Sequence, residues 1–302
     1  MATVIYWIKE HIYWPLLHGM EGVWQDTILS PVFVIVVTGI LVLERIFPVN
    51  PRQKMFSVGF LQDAVWLVLA LLFEGLVVAG YTNGLKNFYQ AHLSFLTVSA
   101  VGHWPEAFRF FWGILLTDFL AWFQHWVKHK VPWFWQIHAV HHSQREINLF
   151  TDFRFHFLEY IISRTIVVIP LLMLAIDTPK IAAYTVFITW LTRFYHANIK
   201  TNFGIFRYIF VTPQSHRVHH SIEQRHQDLN FGVIFSFWDR IFKTRHENCE
   251  EYPETGIHDE KFPLEMDAGL SLLMVPVRQL VYPFFVILRG VWRRYTSSSK
   301  GQ

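Results

Sequence analysis

Residues 107–143 read AFRFFWGILLTDFLAWFQHWVKHKVPWFWQIHAVHHS, and residues 212–221 read TPQSHRVHHS. The first stretch opens as an apolar run and closes on histidines, His125-x-x-x-His129 and then His138-x-x-His141-His142. The second repeats the motif, because His138-Ala-Val-His-His-Ser and His216-Arg-Val-His-His-Ser differ at a single position. With 17 histidines in 302 residues, roughly 0.05 copies of H-x-x-H-H are expected by chance, and two are present. Residues at i, i+3 and i+4 share one helix face, so each copy turns three imidazoles toward one point, and His125 with His129 adds two more. Eight ring nitrogens suffice for two metal ions, and the hexapeptides read as matching halves of one site. Neutral imidazole ligates Fe, Zn, Cu and Ni alike, so ligand type does not choose the metal.

The composition sets this motif in a membrane. Hydrophobic residues make up 52% of the chain and charged ones only 16%, too apolar for a soluble fold of this length. Aromatics reach 18%, a density suited to interfacial belts. A net charge of +3, from 26 basic and 23 acidic residues, argues against a nucleic-acid partner and against disorder. The single cysteine, Cys249, excludes an internal disulfide framework and a thiolate-ligated metal centre.

Outward from the histidines, apolar runs at 31–47 and 60–81 each approach the roughly 20 residues that cross about 30 Å of hydrocarbon. A third span is expected over 107–129, and 160–196 reads as a helical hairpin turning at Asp177-Thr178-Pro179. Arg45, Arg52 and Lys54, then Lys128 and Lys130, then Lys200, Arg207, Arg217 and Arg225 fall in segments that the positive-inside rule assigns to the cytoplasm. Every histidine motif then lies on one side. The expected fold is an all-α integral membrane bundle with a cytoplasmic-side, histidine-rich di-metal site.

Three regions are expected. Residues 1–105 hold an interfacial N-terminal segment, with Tyr6, Trp7, Tyr13, Trp14 and Trp24, and two spans. Residues 106–245 hold the histidine motifs. Residues 246–302 hold a polar loop and membrane-associated helices; the run 268–288, interrupted by Pro276, Arg278 and Pro283, reads as a re-entrant or interfacial helix pair. Asp118, seven residues before His125 on the same face, is either the acceptor of a ligand histidine's second N–H or a helix-interior acid paired with a base. Asp63 and Glu74, eleven residues apart, fit a polar seam between helices and are left out of the site.

From about Phe111 to Thr244 the chain resembles the fatty acid hydroxylase/sterol desaturase superfamily of membrane-bound, histidine-rich non-haem iron oxygenases. The residues that carry the resemblance are Asp118, His125 and His129; Trp135-x-x-His138-x-x-His141-His142-Ser143; Phe153-Arg154-Phe155-His156-x-x-Glu159; and His196-Ala-Asn198. They continue with Thr212-Pro213-x-x-His216-Arg-Val-His219-His220-Ser221, and Asn230-Phe-Gly232 leading to Trp238-Asp239-Arg240-x-Phe242-x-Thr244. The resemblance implies metal ligands at His125, His129, His138, His141, His142, His196, His216, His219 and His220. It implies supporting roles for Asp118, His156 and Asn198: His156 as a tenth ligand or as the neighbour of one, fixed by Arg154 and Glu159, and Asn198 as a ligand through water. Relatives often place a second histidine four residues after the one at 196, where this chain has Lys200. His226, near Asp228, reads as a surface histidine, and His11, His18, His92, His103, His246 and His258 have no spacing partners.

The activity so implied is a non-haem di-iron lipid monooxygenase: O₂-dependent hydroxylation or desaturation of a sterol, fatty acyl chain or ether lipid at two Fe ions, which Zn can replace in purified protein. No residue beyond the ligands needs to act as nucleophile or acid. With no G-x-G-x-x-G fingerprint and no haem-binding module, an external ferredoxin, cytochrome or reductase is implied as electron donor. The competing class is a membrane metal-binding or transport protein using the same histidines. Transport sites lie near the midplane between broken helices, whereas these motifs fall at span ends.

Overall fold

The computed structural model describes Tyr6 and residues 31–176, 178–264 and 270–298. The expected interfacial segment over 1–30 therefore lies outside the described residues, Tyr6 excepted. Among the described residues the chain is helical with no strand, and extended pairing is confined to isolated bridges at Pro48–Ile199, Phe210–Phe235 and Ser221–Thr255. The helices are α1 (Pro31–Ile46), α2 (Val58–Phe88), α3 (Glu106–Lys130), α4 (Pro132–His142), α5 (Phe157–Met173), α6 (Thr178–His196), α7 (Pro213–His219), α8 (Phe237–Ile241) and α9 (Ser271–Ser298).

Local chemistry sets the ends of the elements that matter. Ser57 caps α2, its Oγ accepting the Phe60 N–H at 3.2 Å. Pro132 opens α4 in the first turn, where its missing N–H costs nothing, and lets the chain turn sharply after α3. α5 ends in a left-handed residue, Ala175 (φ 52°), with Ile176 N–H bonded to Leu171 O and Ala175 N–H to Leu172 O. This 6→1, 5→2 pattern turns the chain toward α6. Gly113 on α3 is needed at this corner, because a Cβ there would meet Ile176 Cδ1 at 2.5 Å. α7 is short but doubly capped: Thr212 Oγ1 accepts the Ser215 N–H, and Ser215 Oγ accepts the Thr212 N–H.

Three apolar clusters surround the centre. Trp66, Ala139, Val140, Phe153, Ile257 and Phe262 join α2 and α4. Leu171, Leu174, Ile176, Tyr184 and Ile234 join the α5–α6 hairpin to the loop before α8. Ile40, Leu149, Ala197 and Ile199 seat α1. A polar seam pins α2 beside α4: buried Asp63 accepts from Gln144 Nε2, Asn148 Nδ2, Thr151 Oγ1 and the Arg154 guanidinium at 2.6–2.9 Å. An Asp–Arg pair this deep is tolerated because its remaining lone pairs are also hydrogen-bonded.

The 268–288 run is not a helix pair. α9 continues through both Pro276 and Pro283 as one helix. A proline forfeits one backbone bond, and packing against α2 and α4 outweighs that loss. Buried Gln279 accepts from Trp66 Nε1 at 3.2 Å and donates to Pro263 O at 2.7 Å and Ser143 Oγ at 3.3 Å. Among the described residues, Ser271–Arg289 is the stretch long and apolar enough to cross a membrane. The 31–47 and 60–81 runs, the 107–129 run and the 160–196 hairpin are helical.

Candidate metal centre

Four helices end at one place. The last turns of α3 (His125, His129), α4 (His138, His141, His142), α6 (His196) and α7 (His216, His219, with His220 as C-cap) converge there. A helix C-terminus carries partial negative charge from its unpaired carbonyls, so four of them favour a cation between them.

The nine rings sort into two groups, the candidate nitrogens within each lying within 4.8 Å of one another. His125, His129, His138, His142 and His219 form the first; His141, His196, His216 and His220 form the second. The hexapeptides interleave. His138 and His142 meet His219 in one group, and His216 and His220 meet His141 in the other. The His142 and His220 rings stack across the boundary at 4.3 Å.

Ring chemistry tests whether a metal ion fits. The Nδ1 atoms of His125, His219 and His196 lie 3.0, 2.9 and 2.6 Å from the carbonyl oxygens of Phe231, Leu229 and Thr192, and that of His138 lies 2.9 Å from Glu159 Oε1. Those oxygens only accept, so each Nδ1 carries the hydrogen and each Nε2 presents a lone pair. Yet His125 Nε2 and His138 Nε2 are 3.1 Å apart, lone pair against lone pair. His142–His138, His141–His196, His196–His216 and His216–His220 repeat the Nε2–Nε2 approach at 2.8–3.1 Å. Two ligands at right angles about one ion, each roughly 2.1 Å from it, stand about 3.0 Å apart. The buried Nε2 atoms of His129 and His219 have no hydrogen-bond partner. The residues present fit an ion in each group.

Burial keeps the imidazoles neutral, as metal ligation requires. His141, His142, His216 and His220 are held well below the usual histidine range by desolvation and then by one another, and His219 is lowered to about 3. His138 is lowered by burial despite the carboxylate of Glu159 beside it.

Above the rings opens a cavity of about 540 Å³. His125, His138, His141, His196 and His216 form part of its lining, and Leu69, Phe73, Val167, Ile188 and Leu280 are among its apolar residues.

With this geometry in hand, a match of residues 110–244 to the fatty acid hydroxylase family model places every ring of both groups inside the matched segment. The segment that carries the rings, just under half of the chain, is thus similar to the fatty acid hydroxylase family. Ornithine lipid hydroxylase OlsE from Rhizobium tropici is 27% identical over 260 residues, covering 81% of the chain and 78% of that relative. Alkylglycerol monooxygenase from Homo sapiens is 30% identical over 142 residues, 47% of the chain and 31% of the relative. The Caenorhabditis elegans alkylglycerol monooxygenase is 25% identical over 154 residues, 49% and 30%. The chain thus spans about a third of the length of the alkylglycerol monooxygenases. No solved structure matches it.

Three expected supporting residues lie away from the rings. Asp118 neither accepts from a ligand histidine nor pairs with a base; its carboxylate takes the N–H groups of Ile234, Phe235 and Trp238 Nε1 at 2.8–3.1 Å. His156 belongs to neither group. Its Nδ1 caps α5 by accepting the Leu158 N–H, and its Nε2 donates to Leu280 O on α9. Asn198 ties the chain after α6 to the α1–α2 loop, accepting the Asn50 N–H at 3.0 Å and donating to Asn50 O.

The groups that do stand behind the rings are others. Glu159 holds His138 and also takes Lys128 Nζ at 2.7 Å, instead of fixing His156. Asp239 gathers Phe231 N, Gly232 N, Trp122 Nε1 and Thr244 Oγ1 at 2.7–2.9 Å, which shapes the Asn230-Phe-Gly turn and aims Phe231 O at His125. Gly232 is required there, since a Cβ would meet Val211 Cγ2 at 2.8 Å. The family resemblance marked Glu159 and Asp239 as motif positions, Glu159 as a support of His156, without revealing that they serve His138 and the turn behind His125.

Proposed function

We propose that the protein is an O₂-dependent di-iron oxygenase that hydroxylates a membrane lipid. The observation that carries this reading is the pair of interleaved histidine groups lining an apolar cavity. Iron held by His125, His129, His138, His142 and His219 and by His141, His196, His216 and His220 would supply the oxidant that an unactivated C–H bond requires, from O₂ and two electrons. The chain's own residues place the substrate and exclude water. Apolar walls at Leu69, Phe73, Val167 and Ile188 accept hydrocarbon and leave a water molecule few partners. Lys128 and Glu159 face the same space as a neutralised pair, Lys128 Nζ lying 2.7 Å from the carboxylate.

The relatives named above act, by their names, on ornithine lipid and on alkylglycerol, and each is a hydroxylase or a monooxygenase. That favours hydroxylation over desaturation and a lipid substrate, with sterol, fatty acyl and ether-lipid candidates all in range. Electrons would come from a separate ferredoxin, cytochrome or reductase. Multi-pass insertion, with the histidines on the cytoplasmic side, is part of the same proposal. It is supported by large apolar side chains left exposed, among them Ile35 on α1, Phe111 on α3, Phe187 on α6 and Phe285 on α9.

The test compares lipid extracts from cells making the wild type or His141→Ala at equal abundance. A lipid that gains one oxygen atom only with the wild type is the expected result. Identical extracts would remove the oxygenase reading, and a product short of two hydrogens would turn it to desaturation.

A further inference from the structure

A third cluster of metal-ligating side chains lies outside both histidine groups. His226 ends the turn Gln224–His226 and His246 and Glu251 lie on the segment that returns past it. We propose that His226, His246 and Glu251 form a separate binding site for a divalent cation of the zinc class, a clip that closes the loop bracing the first histidine group.

Both histidines were expected to stand apart, His226 at the surface and His246 without partners. The structure instead buries His226 completely at its side chain. Its Nδ1 is 2.9 Å from Ser221 Oγ, which fixes the ring, and its buried Nε2 has no hydrogen-bond partner. That nitrogen faces Glu251 Oε1 at 3.4 Å, and the other oxygen of the same carboxylate is 2.9 Å from His246 Nε2. One nitrogen from each ring and one carboxylate oxygen lie within 4.8 Å of one another.

A tetrahedral ion with ligands at roughly 2.0–2.1 Å holds them about 3.3–3.4 Å apart, so His226 and Glu251 already stand at ligand spacing. His246 Nε2 stands against the other oxygen of that carboxylate, so the carboxylate turns away from His246 as an ion enters between the rings. Two imidazoles and one carboxylate suit Zn²⁺ and similar borderline ions, whereas Ca²⁺ and Mg²⁺ prefer oxygen alone. Arg225 is the other charged group facing the site. Its guanidinium rests on Glu251 but also on Glu223 at 2.8 Å, and it is more than half exposed, so Glu223 can keep it when a cation takes Glu251.

The position of the site gives it a consequence. Between His226 and His246 lie Leu229 and Phe231, whose carbonyls orient His219 and His125, and Asp239, which shapes the turn that presents Phe231. The segment carrying His246 and Glu251 is itself tied to α7. Gln214 Nε2 donates to Asn248 O and Glu251 O, and Gly256 N–H donates to His220 O. A cation here therefore joins the two ends of the loop that aligns one histidine group. Cross-linking loop ends lowers the entropy of the open state and stabilises the closed one.

The experiment uses the full-length protein in detergent, with Zn²⁺ as the probe and metal counted per chain. Wild type, His246→Ala and Glu251→Gln are stripped, reloaded and desalted in parallel. Each variant is expected to hold one ion per chain fewer than the wild type. Added Zn²⁺ is also expected to raise the melting temperature of the wild type by about 5 °C more than that of the variants, whose histidine groups still bind it, at a hundredfold excess over Kd. Equal metal content in wild type and Glu251→Gln, which preserves the side-chain shape, overturns the proposal. If His246→Ala misfolds or loses several ions, Glu251→Gln alone decides: a deficit of one ion supports the clip and no deficit ends it.

Discussion

The two histidine groups share the same kind of ligand, yet they are held from behind in different ways. In the first, His125, His138 and His219 each bond through Nδ1 to a fixed oxygen: Phe231 O, Glu159 Oε1 and Leu229 O. In the second only His196 does so, through Thr192 O, while the buried Nδ1 atoms of His141, His216 and His220 have no hydrogen-bond partner. Packing orients two of those rings, His141 lying over Phe155 at 4.8 Å and His216 against Tyr195 at 4.2 Å. A hydrogen bond fixes both tautomer and ring angle, whereas an aromatic neighbour fixes only the plane. The first group is thus set for its ion in advance, and the second depends on the ion to choose its tautomers.

The largest effect should come from removing the carboxylate hydrogen-bonded to His138. Glu159→Ala frees the His138 ring and leaves Lys128 buried without its partner, which should cost about 3–5 kcal/mol of stability. Weaker metal binding, by roughly 10–100-fold, should be confined to the first group. Melting temperature and metal content per chain check both parts. A variant that keeps its full metal content and melts like the wild type would erase the difference between the groups. Next in size is the rate of metal release, followed in a Glu251→Gln background so that the clip is empty. Of the two ions in the histidine groups, the first group's should leave Glu159→Ala to a chromogenic chelator about tenfold faster or more, giving two phases of equal amplitude. A single phase would show that the brace has no kinetic meaning.

Much of this centre was legible in the sequence and much was not, and the division follows from range. The hexapeptides at His138 and His216 could be matched because i, i+3, i+4 spacing is a local property of a helix. The helices carrying them were visible for the same reason. What spacing cannot say is which distant atom completes a buried group. Asp118 was placed by its register on the His125 face, but the nearest unpaired donors are the N–H groups of the turn at Ile234 and Phe235, more than a hundred residues away. Asp63 looked like one end of a seam, and only the fold brings it Gln144, Asn148, Thr151 and Arg154. His246 has no neighbour at helical spacing, so nothing local marked it as the partner of His226. The continuity of α9 was hidden by its prolines, whose lost bonds are outweighed by contacts that Gln279 makes with α2, α4 and the preceding loop.

Acid should probe the neutral rings more gently. His219 is lowered to about 3 by burial, against an ordinary histidine value of 6.5, so in the folded protein it stays neutral where the unfolded chain is protonated. The unfolded state then binds more protons below pH 6.5, and stability falls as pH drops from there toward 3. The slope is about 1.4 kcal/mol per pH unit for this one residue. Metal-stripped wild type should lose melting temperature between pH 6.5 and 5 more steeply than His219→Gln, which has no proton to gain. Equal slopes would mean that the ring is already charged in the fold.

The smallest change tests the brace through its backbone. Gly232→Ala places a methyl carbon 2.8 Å from Val211 Cγ2 and 3.0 Å from Asp239 Oδ2, so the turn must shift and carry Phe231 O with it. Overpacking of this kind should cost about 1 kcal/mol. Gly113→Ala, crowding Ile176 at the far corner of the α5–α6 hairpin, is the matched control, since it strains packing without touching any ring support. The two variants should melt similarly, but only Gly232→Ala should speed metal release from the first group. If both release metal alike, then Phe231 O does not hold His125, and the contrast between the groups rests on Glu159 and Leu229 alone.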